Sequence, residues 1–91
     1  MLKNLEDLIK VIRQRKTTSD GDSYTKKLLK DKNLTVAKVR EEIGELIEAV
    51  EKDTNKIHEA ADVLYHLLVY LEVHNIKIEE VMNELKKRQN K

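Results

Sequence analysis

Lys56-Ile57-His58-Glu59-Ala60-Ala61-Asp62-Val63-Leu64-Tyr65-His66-Leu67-Leu68-Val69-Tyr70-Leu71-Glu72-Val73-His74 contains neither glycine nor proline. Its apolar residues Ile57, Ala60, Ala61, Val63, Leu64, Leu67, Leu68, Val69, Leu71 and Val73 fall on nearly every side of a 3.6-residue repeat. The pattern predicts a helix from about Lys56 to His74, buried all round. Two carboxylates, Glu59 and Asp62, interrupt that apolar surface and require an explanation.

Upstream, Asp53-Thr54-Asn55 has turn composition. Before it, Val36, Val39, Ile43, Leu46, Ile47 and Val50 form the stripe of a second long helix, for which Thr35 is the expected N-cap. Ser23 is placed to open a short helical segment running through Leu28 and Leu29. Thr17-Thr18-Ser19-Asp20-Gly21-Asp22 reads as a loop, and Leu5, Leu8, Ile9 and Ile12 mark a first amphipathic helix ending near Arg13, Arg15 and Lys16. Downstream, Asn75 suits the left-handed position that ends a helix, and Ile76 with Val81 is spaced as a hydrophobic staple. Glu79 and Glu80 in the first turn of a last helix, with Lys86, Lys87 and Arg88 in its last, suit the helix dipole.

Composition agrees with an all-α protein: 38% of the 91 residues are charged, 40% are hydrophobic, two are glycine and none is proline. The expectation is one domain over residues 1–91, a four- to five-helix bundle. So short a chain has little interior, so it is expected to associate as a homodimer or larger. A formal charge of +1 gives no field for DNA or an anionic membrane, and three tyrosines as the only aromatics are too few for a base-stacking platform, so no nucleic-acid partner is expected. Acids within Met1-Leu2-Lys3-Asn4-Leu5-Glu6-Asp7 break any signal-peptide core, and the apolar run from Val63 to Val73 is too short to span a bilayer. With cysteine absent as well, the expected location is the cytoplasm.

Glu42 and Glu45, like Glu59 and Asp62, are spaced i, i+3 and so share a helix face. Isolated pairs of this kind are mostly solvated, and Glu41, Glu48 and Glu51 are expected to be. Glu59 and Asp62 lie on a helix without a clear solvent face, where an unpaired carboxylate costs several kcal/mol, roughly. A short turn makes the two long helices antiparallel neighbours, bringing the four acids to one site. A hard divalent cation would turn their repulsion into ligation; magnesium fits an oxygen-only set and points to phosphate chemistry. His66, one turn after Asp62, is placed to hydrogen-bond a carboxylate from behind, while His58 and His74 read as surface or helix-end residues.

The order Glu41-Glu42-x-x-Glu45, thirteen residues, then Glu59-x-x-Asp62 resembles the signature of the all-α nucleoside triphosphate pyrophosphatases, the MazG-like group. Within it, Arg15-Lys16 followed by Ser23-Tyr24-Thr25, then Lys38-Val39-Arg40-Glu41-Glu42, and Glu59-Ala60-Ala61-Asp62-Val63-Leu64-Tyr65-His66 resemble the phosphoribosyl-ATP pyrophosphatases, over about Leu5 to Arg88. The resemblance implies magnesium-dependent hydrolysis of phosphoribosyl-ATP to phosphoribosyl-AMP and pyrophosphate by a homodimer or larger. Carried over by position, Glu42, Glu45, Glu59 and Asp62 are the magnesium ligands and Glu41 a candidate outer-shell or water-orienting acid. Lys38 would meet phosphate, with Arg15, Lys16 and Tyr24 completing the substrate pocket. Arg40 and Asp31-Lys32-Asn33 stand where the family often has glycine; neither departure touches the proposed ligands, and the loop change at Asp31-Lys32-Asn33 bears on backbone contacts to phosphate. A house-cleaning nucleoside triphosphate pyrophosphatase and a non-catalytic helical dimerisation module are the alternatives.

Overall fold

A computed structural model describes residues 2–18 and 23–89 of the chain, and these form five helices: α1 (Lys3–Thr17), α2 (Tyr24–Lys30), α3 (Lys32–Lys52), α4 (Lys56–Val73) and α5 (Ile78–Gln89). No strand occurs among the described residues, in keeping with the expected all-α class. Residues 19–22 of the expected loop lie outside the described ones.

Local chemistry accounts for most boundaries. The Ser23 side chain accepts from the Lys26 backbone N–H and caps α2. Asp53 and Asn75 both take left-handed conformations, with φ of 56° and 58°. Behind Asn75, the Ile76 N–H reaches the Leu71 carbonyl at 2.9 Å and the Asn75 N–H reaches Glu72 at 3.2 Å, the paired bonds of a Schellman end. Asp53 closes α3 in the same way, through Thr54 N–H to Ala49 at 2.9 Å. α5 starts at Ile78, which puts Ile76 and Val81 at the two positions of the expected staple, and Ile78 itself packs the start of the helix onto the core.

One boundary differs from the expectation. Asp31, not Thr35, caps α3, its side chain accepting from the Leu34 N–H at 3.0 Å. Thr35 is fully buried inside the first turn, where its hydroxyl donates to the carbonyls of Leu28 at 2.7 Å and Asp31 at 2.9 Å. It therefore ties α2 to α3. Thr35→Val, which keeps the shape and removes the donor, should cost about 1–3 kcal/mol, read as a lower midpoint in urea unfolding with an unchanged slope.

The core comprises Ile12, Leu28, Leu68, Val69 and Val73, with Leu5, Leu8, Ile9, Leu29, Leu34, Tyr65 and Ile78 packed against it. It joins α1 and α2 to the C-terminal half of α4. α4 also lies along α3, the most extensive helix pair among the described residues. One helix thus serves two purposes: a core anchor at one end and a carrier of acids at the other. Arg13 on α1 clamps α5 by two bonds to Glu79, at 2.8 and 2.6 Å, and holds that carboxyl down at about 2.

The expectation that Lys56–His74 is buried all round fails within one chain. Ile57, Leu64 and Leu67 of α4 are 88%, 51% and 37% exposed. The expected core stripe of α3 is split, with Ile43, Ile47 and Val50 exposed and Val36, Val39 and Leu46 half-buried, while Thr35, Glu42 and Ala49 turn inward. The inward face of α3 is the one bearing the acid.

Candidate active site

Four acids approach one another where α3 and α4 run antiparallel. Glu42 is only 8% exposed, Glu59 and Asp62 are half-buried, and Glu45 is exposed at the rim. Ligating oxygens of Glu42, Glu45 and Glu59 lie within 4.8 Å of one another. A second trio, His58, Glu59 and Asp62, meets the same limit, so Glu59 joins the two groups. Oε2 of Glu42 and Oε2 of Glu59 are buried and have no hydrogen-bond partner. Burial, then the charge of Glu45, pushes both the Glu42 and Glu59 carboxyls above their ordinary range. Among the described residues no Lys or Arg forms an ion pair with Glu42, Glu45 or Glu59.

The wall beside Glu42 is built by α2 and α4. The Tyr24 hydroxyl lies 2.8 Å from His66 Nε2, and His66 Nδ1 lies 2.7 Å from the Asp62 backbone carbonyl. A carbonyl only accepts, so Nδ1 carries the hydrogen; in the neutral ring Nε2 is then the acceptor for the Tyr24 hydroxyl. The expected bond from His66 to a carboxylate is therefore replaced by one to the Asp62 backbone. Helical side chains lean toward the N-terminus, so His66 folds back over the Asp62 carbonyl while the Asp62 carboxylate leans further back. There it meets His58 Nε2 at 3.3 Å. His58 is consequently part of the site's rim, a role legible in the i, i+4 spacing but not assigned from sequence.

The Tyr24 ring stacks on Tyr65 at 6.2 Å, and His66 stands edge-on to Tyr65 at 5.0 Å. Thr25 is hydrogen-bonded to the Tyr65 hydroxyl, a second tie between α2 and α4. Burial pushes the Tyr24 phenol up, and the nearby Lys38 charge works against that. Lys38 Nζ lies 3.2 Å from Glu41 Oε2, and this bond to Glu41 holds the ammonium above its usual range. Lys38 and Glu41 thus stand together at the edge of the acids.

Of the two basic residues at the end of α1, Lys16 is bonded elsewhere. Arg15 is exposed on α1. Lys16 Nζ donates to the Glu72 carbonyl at 2.9 Å and to Asn75 Oδ1 at 2.9 Å, capping the C-terminal end of α4. Glu72 is ten residues beyond Asp62, about 15 Å along the helix axis.

The phosphoribosyl-ATP pyrophosphohydrolase family profile matches residues 5–89. The chain is 46% identical over 89 residues to the histidine biosynthesis bifunctional protein HisIE of Pyrococcus furiosus, covering 97% of this chain and 41% of that protein. It is 39% identical to the phosphoribosyl-ATP pyrophosphatase of Haloarcula marismortui, covering 92% of this chain and 91% of that one. With the phosphoribosyl-ATP pyrophosphatase of Methylobacterium nodulans the identity is 46%, over 92% of this chain and 81% of that one. A match from Leu5 to Gln89 that takes in all four acids, Lys38, Tyr24 and His66 places the chain in the phosphoribosyl-ATP pyrophosphohydrolase family.

Proposed function

We propose that the chain hydrolyses phosphoribosyl-ATP to phosphoribosyl-AMP and pyrophosphate, the second step of histidine biosynthesis, in the cytoplasm. The observation that carries the chemistry is the buried, unpartnered oxygen of Glu42 facing Glu45 and Glu59. Desolvated carboxylates without a cationic side chain are poor structural elements and good ligands for a hard cation. Magnesium fits them: the donors of the inner trio are all oxygen, and two of those oxygens have no other partner. Glu42, Glu45 and Glu59 would hold it, with Asp62 completing the set from the other side of Glu59. When bound, the cation supplies Lewis-acid neutralisation of phosphate charge.

The chain's own groups do the rest. Lys38 exchanges Glu41 for a phosphate oxygen, a stronger acceptor when desolvated. Glu41, released from Lys38 and open to solvent, orients the attacking water. His66 accepts the Tyr24 hydroxyl and so fixes the phenol ring beside Glu42, while its Nδ1–H holds the backbone that carries Asp62. A non-catalytic module whose acids form salt bridges would need Lys or Arg at Glu42 and Glu59, and the described residues place none there. Among the described residues, no helix is long and apolar enough to cross a membrane.

The exposed apolar stripes of α3 and α4 support a homodimer, because Ile47, Val50, Ile57 and Leu64 are each more than half exposed in one chain. A partner covering them would restore the burial that the sequence of α4 demands.

Product analysis tests the activity: phosphoribosyl-ATP should yield phosphoribosyl-AMP and pyrophosphate far faster than ATP or dUTP yields pyrophosphate. Equal rates on all three would favour a house-cleaning enzyme. Magnesium should raise the melting temperature by linkage, about 2.7 kcal/mol at roughly a hundredfold excess over Kd. Glu59→Gln should remove most of that increment, since Glu59 belongs to both ligand groups. An unchanged magnesium response in the variant would remove Glu59 from the ligand set.

A further inference from the structure

Phosphoribosyl-ATP differs from ATP by a second, phosphorylated ribose on the base, so an enzyme that prefers it needs a place for a remote phosphate. The Tyr24 hydroxyl bonds His66 in the wall beside Glu42. Tyr24 also lines an open cleft of about 590 Å³ together with Ser23, Lys27, Lys30 and Asp31, a wall to which Lys38 and the four acids do not contribute. Ser23, Lys27 and Lys30 are spaced i, i+4, i+7 and share one face of the segment. Lys27 and Lys30 are exposed, and neither forms an ion pair among the described residues. The one acid on the wall, Asp31, already accepts the Leu34 N–H at 3.0 Å as the cap of α3.

Three further clefts offer no comparable charge. That of Arg13, Glu72, Lys77 and Glu79 contains two acids, and its arginine is bound by Glu79 at 2.6 Å. The cleft along α5 sets Glu80 and Glu84 against Arg88. The groove between α1 and α5 is mainly apolar, lined by Leu2, Leu5, Ile9, Ile78 and Met82 among others.

The geometry points to the Ser23–Lys27–Lys30 cleft as a second phosphate subsite, which takes the sugar phosphate carried on the base and sets the preference for phosphoribosyl-ATP over ATP. Tyr24 is common to both walls, so a substrate passing across its half-exposed ring places the triphosphate beside Lys38 and Glu42 and the remote phosphate beside the two lysines. Each lysine is a point charge on a flexible stem, suited to a terminal dianion. This subsite rests on the reading of the chain as a phosphoribosyl-ATP hydrolase, and deepens it by naming what confers the preference.

The test compares wild type with Lys27→Glu/Lys30→Glu and Lys27→Arg/Lys30→Arg. Both side chains are exposed, so the variants should fold, which a melt checks. Charge reversal should lower the ratio of kcat/KM for phosphoribosyl-ATP to that for ATP by about ten- to a hundredfold, through KM, as for the loss of charge-assisted bonds. The arginine pair should keep the ratio. Ribose 5-phosphate, titrated at millimolar concentration, should shift the amide resonances of Lys27 and Lys30 in wild type and not in the charge-reversed protein. An unchanged ratio on charge reversal, or an equal fall in the arginine pair, would overturn the subsite. If wild type fails to hydrolyse phosphoribosyl-ATP, the functional reading falls and the ribose 5-phosphate titration decides alone: lysine-dependent shifts keep the subsite, and no shifts in wild type refute it.

Discussion

Glu42→Gln should make the metal-free protein more stable while cutting pyrophosphate release by roughly a hundredfold or more. Glu42 is the most buried of the four acids, and burial and Glu45 both disfavour its charge. Glutamine keeps the shape and removes the charge, so the apo fold loses a repulsive term and gains a donor toward Glu45. With magnesium present the sign reverses, because a ligand has been lost. A salt-bridged structural acid predicts the opposite in the apo protein, a loss of stability as its partner is stranded. Asp62→Asn should show a smaller apo gain than Glu42→Gln, because the Asp62 carboxylate already faces His58 at 3.3 Å.

The same shifts set a pH dependence. Glu42 and Glu59 have carboxyls raised above the ordinary 4.5, so between 4.5 and the raised values the folded state binds more protons than the unfolded one. Stability of the metal-free protein therefore falls as pH rises through that window, and Glu42→Gln should flatten the fall. Saturating magnesium should abolish it, because the cation stabilises the ionised acids. Melting temperatures across the window, with chelator and with magnesium, check the sign.

The second large effect concerns the exposed stripes. Ile47→Glu with Leu64→Glu should convert a dimer to a monomer at micromolar concentration, read by sedimentation velocity. Both side chains are more than half exposed in one chain, at 55% and 51%, so the substitutions leave its own core intact. Burying a carboxylate at each position in an interface would cost several kcal/mol, roughly, enough to dissociate most dimers of modest area. A wild-type protein that sediments as a monomer would contradict the proposed association and leave those stripes without a partner.

Helix existence was legible throughout, because spacing and caps are local. Ser23 as cap, the Asp53-Thr54-Asn55 turn and left-handed Asn75 all stand where their chemistry placed them. The start of α3 was misjudged because Asp31 and Thr35 are both capping residues, and only the Leu28 carbonyl, a tertiary partner, shows that the Thr35 hydroxyl is used elsewhere. The inward face of α3 was misjudged for a different reason. Apolar periodicity marks a face that wants burial, without saying whether this chain or another covers it, and Ile43, Ile47 and Val50 lie outside while Glu42 lies inside.

At the site, the acids were legible from their spacing on two antiparallel helices. The Tyr24–His66 bond was not, since 42 residues separate them and no local rule joins α2 to α4. Spacing alone does not place Lys16, because a basic residue near a helix end serves its own helix, a neighbouring one or a ligand equally well. Here it serves the C-terminal end of α4.

Pyrophosphate release from phosphoribosyl-ATP, followed as magnesium is titrated into chelator-treated wild-type protein, tests the central claim most directly. The rate should rise from background to saturation with magnesium, with Glu42→Gln staying near background across the titration. Release that proceeds undiminished in chelator, or no release at any magnesium concentration, would contradict a magnesium-dependent phosphoribosyl-ATP hydrolase built on Glu42, Glu45, Glu59 and Asp62.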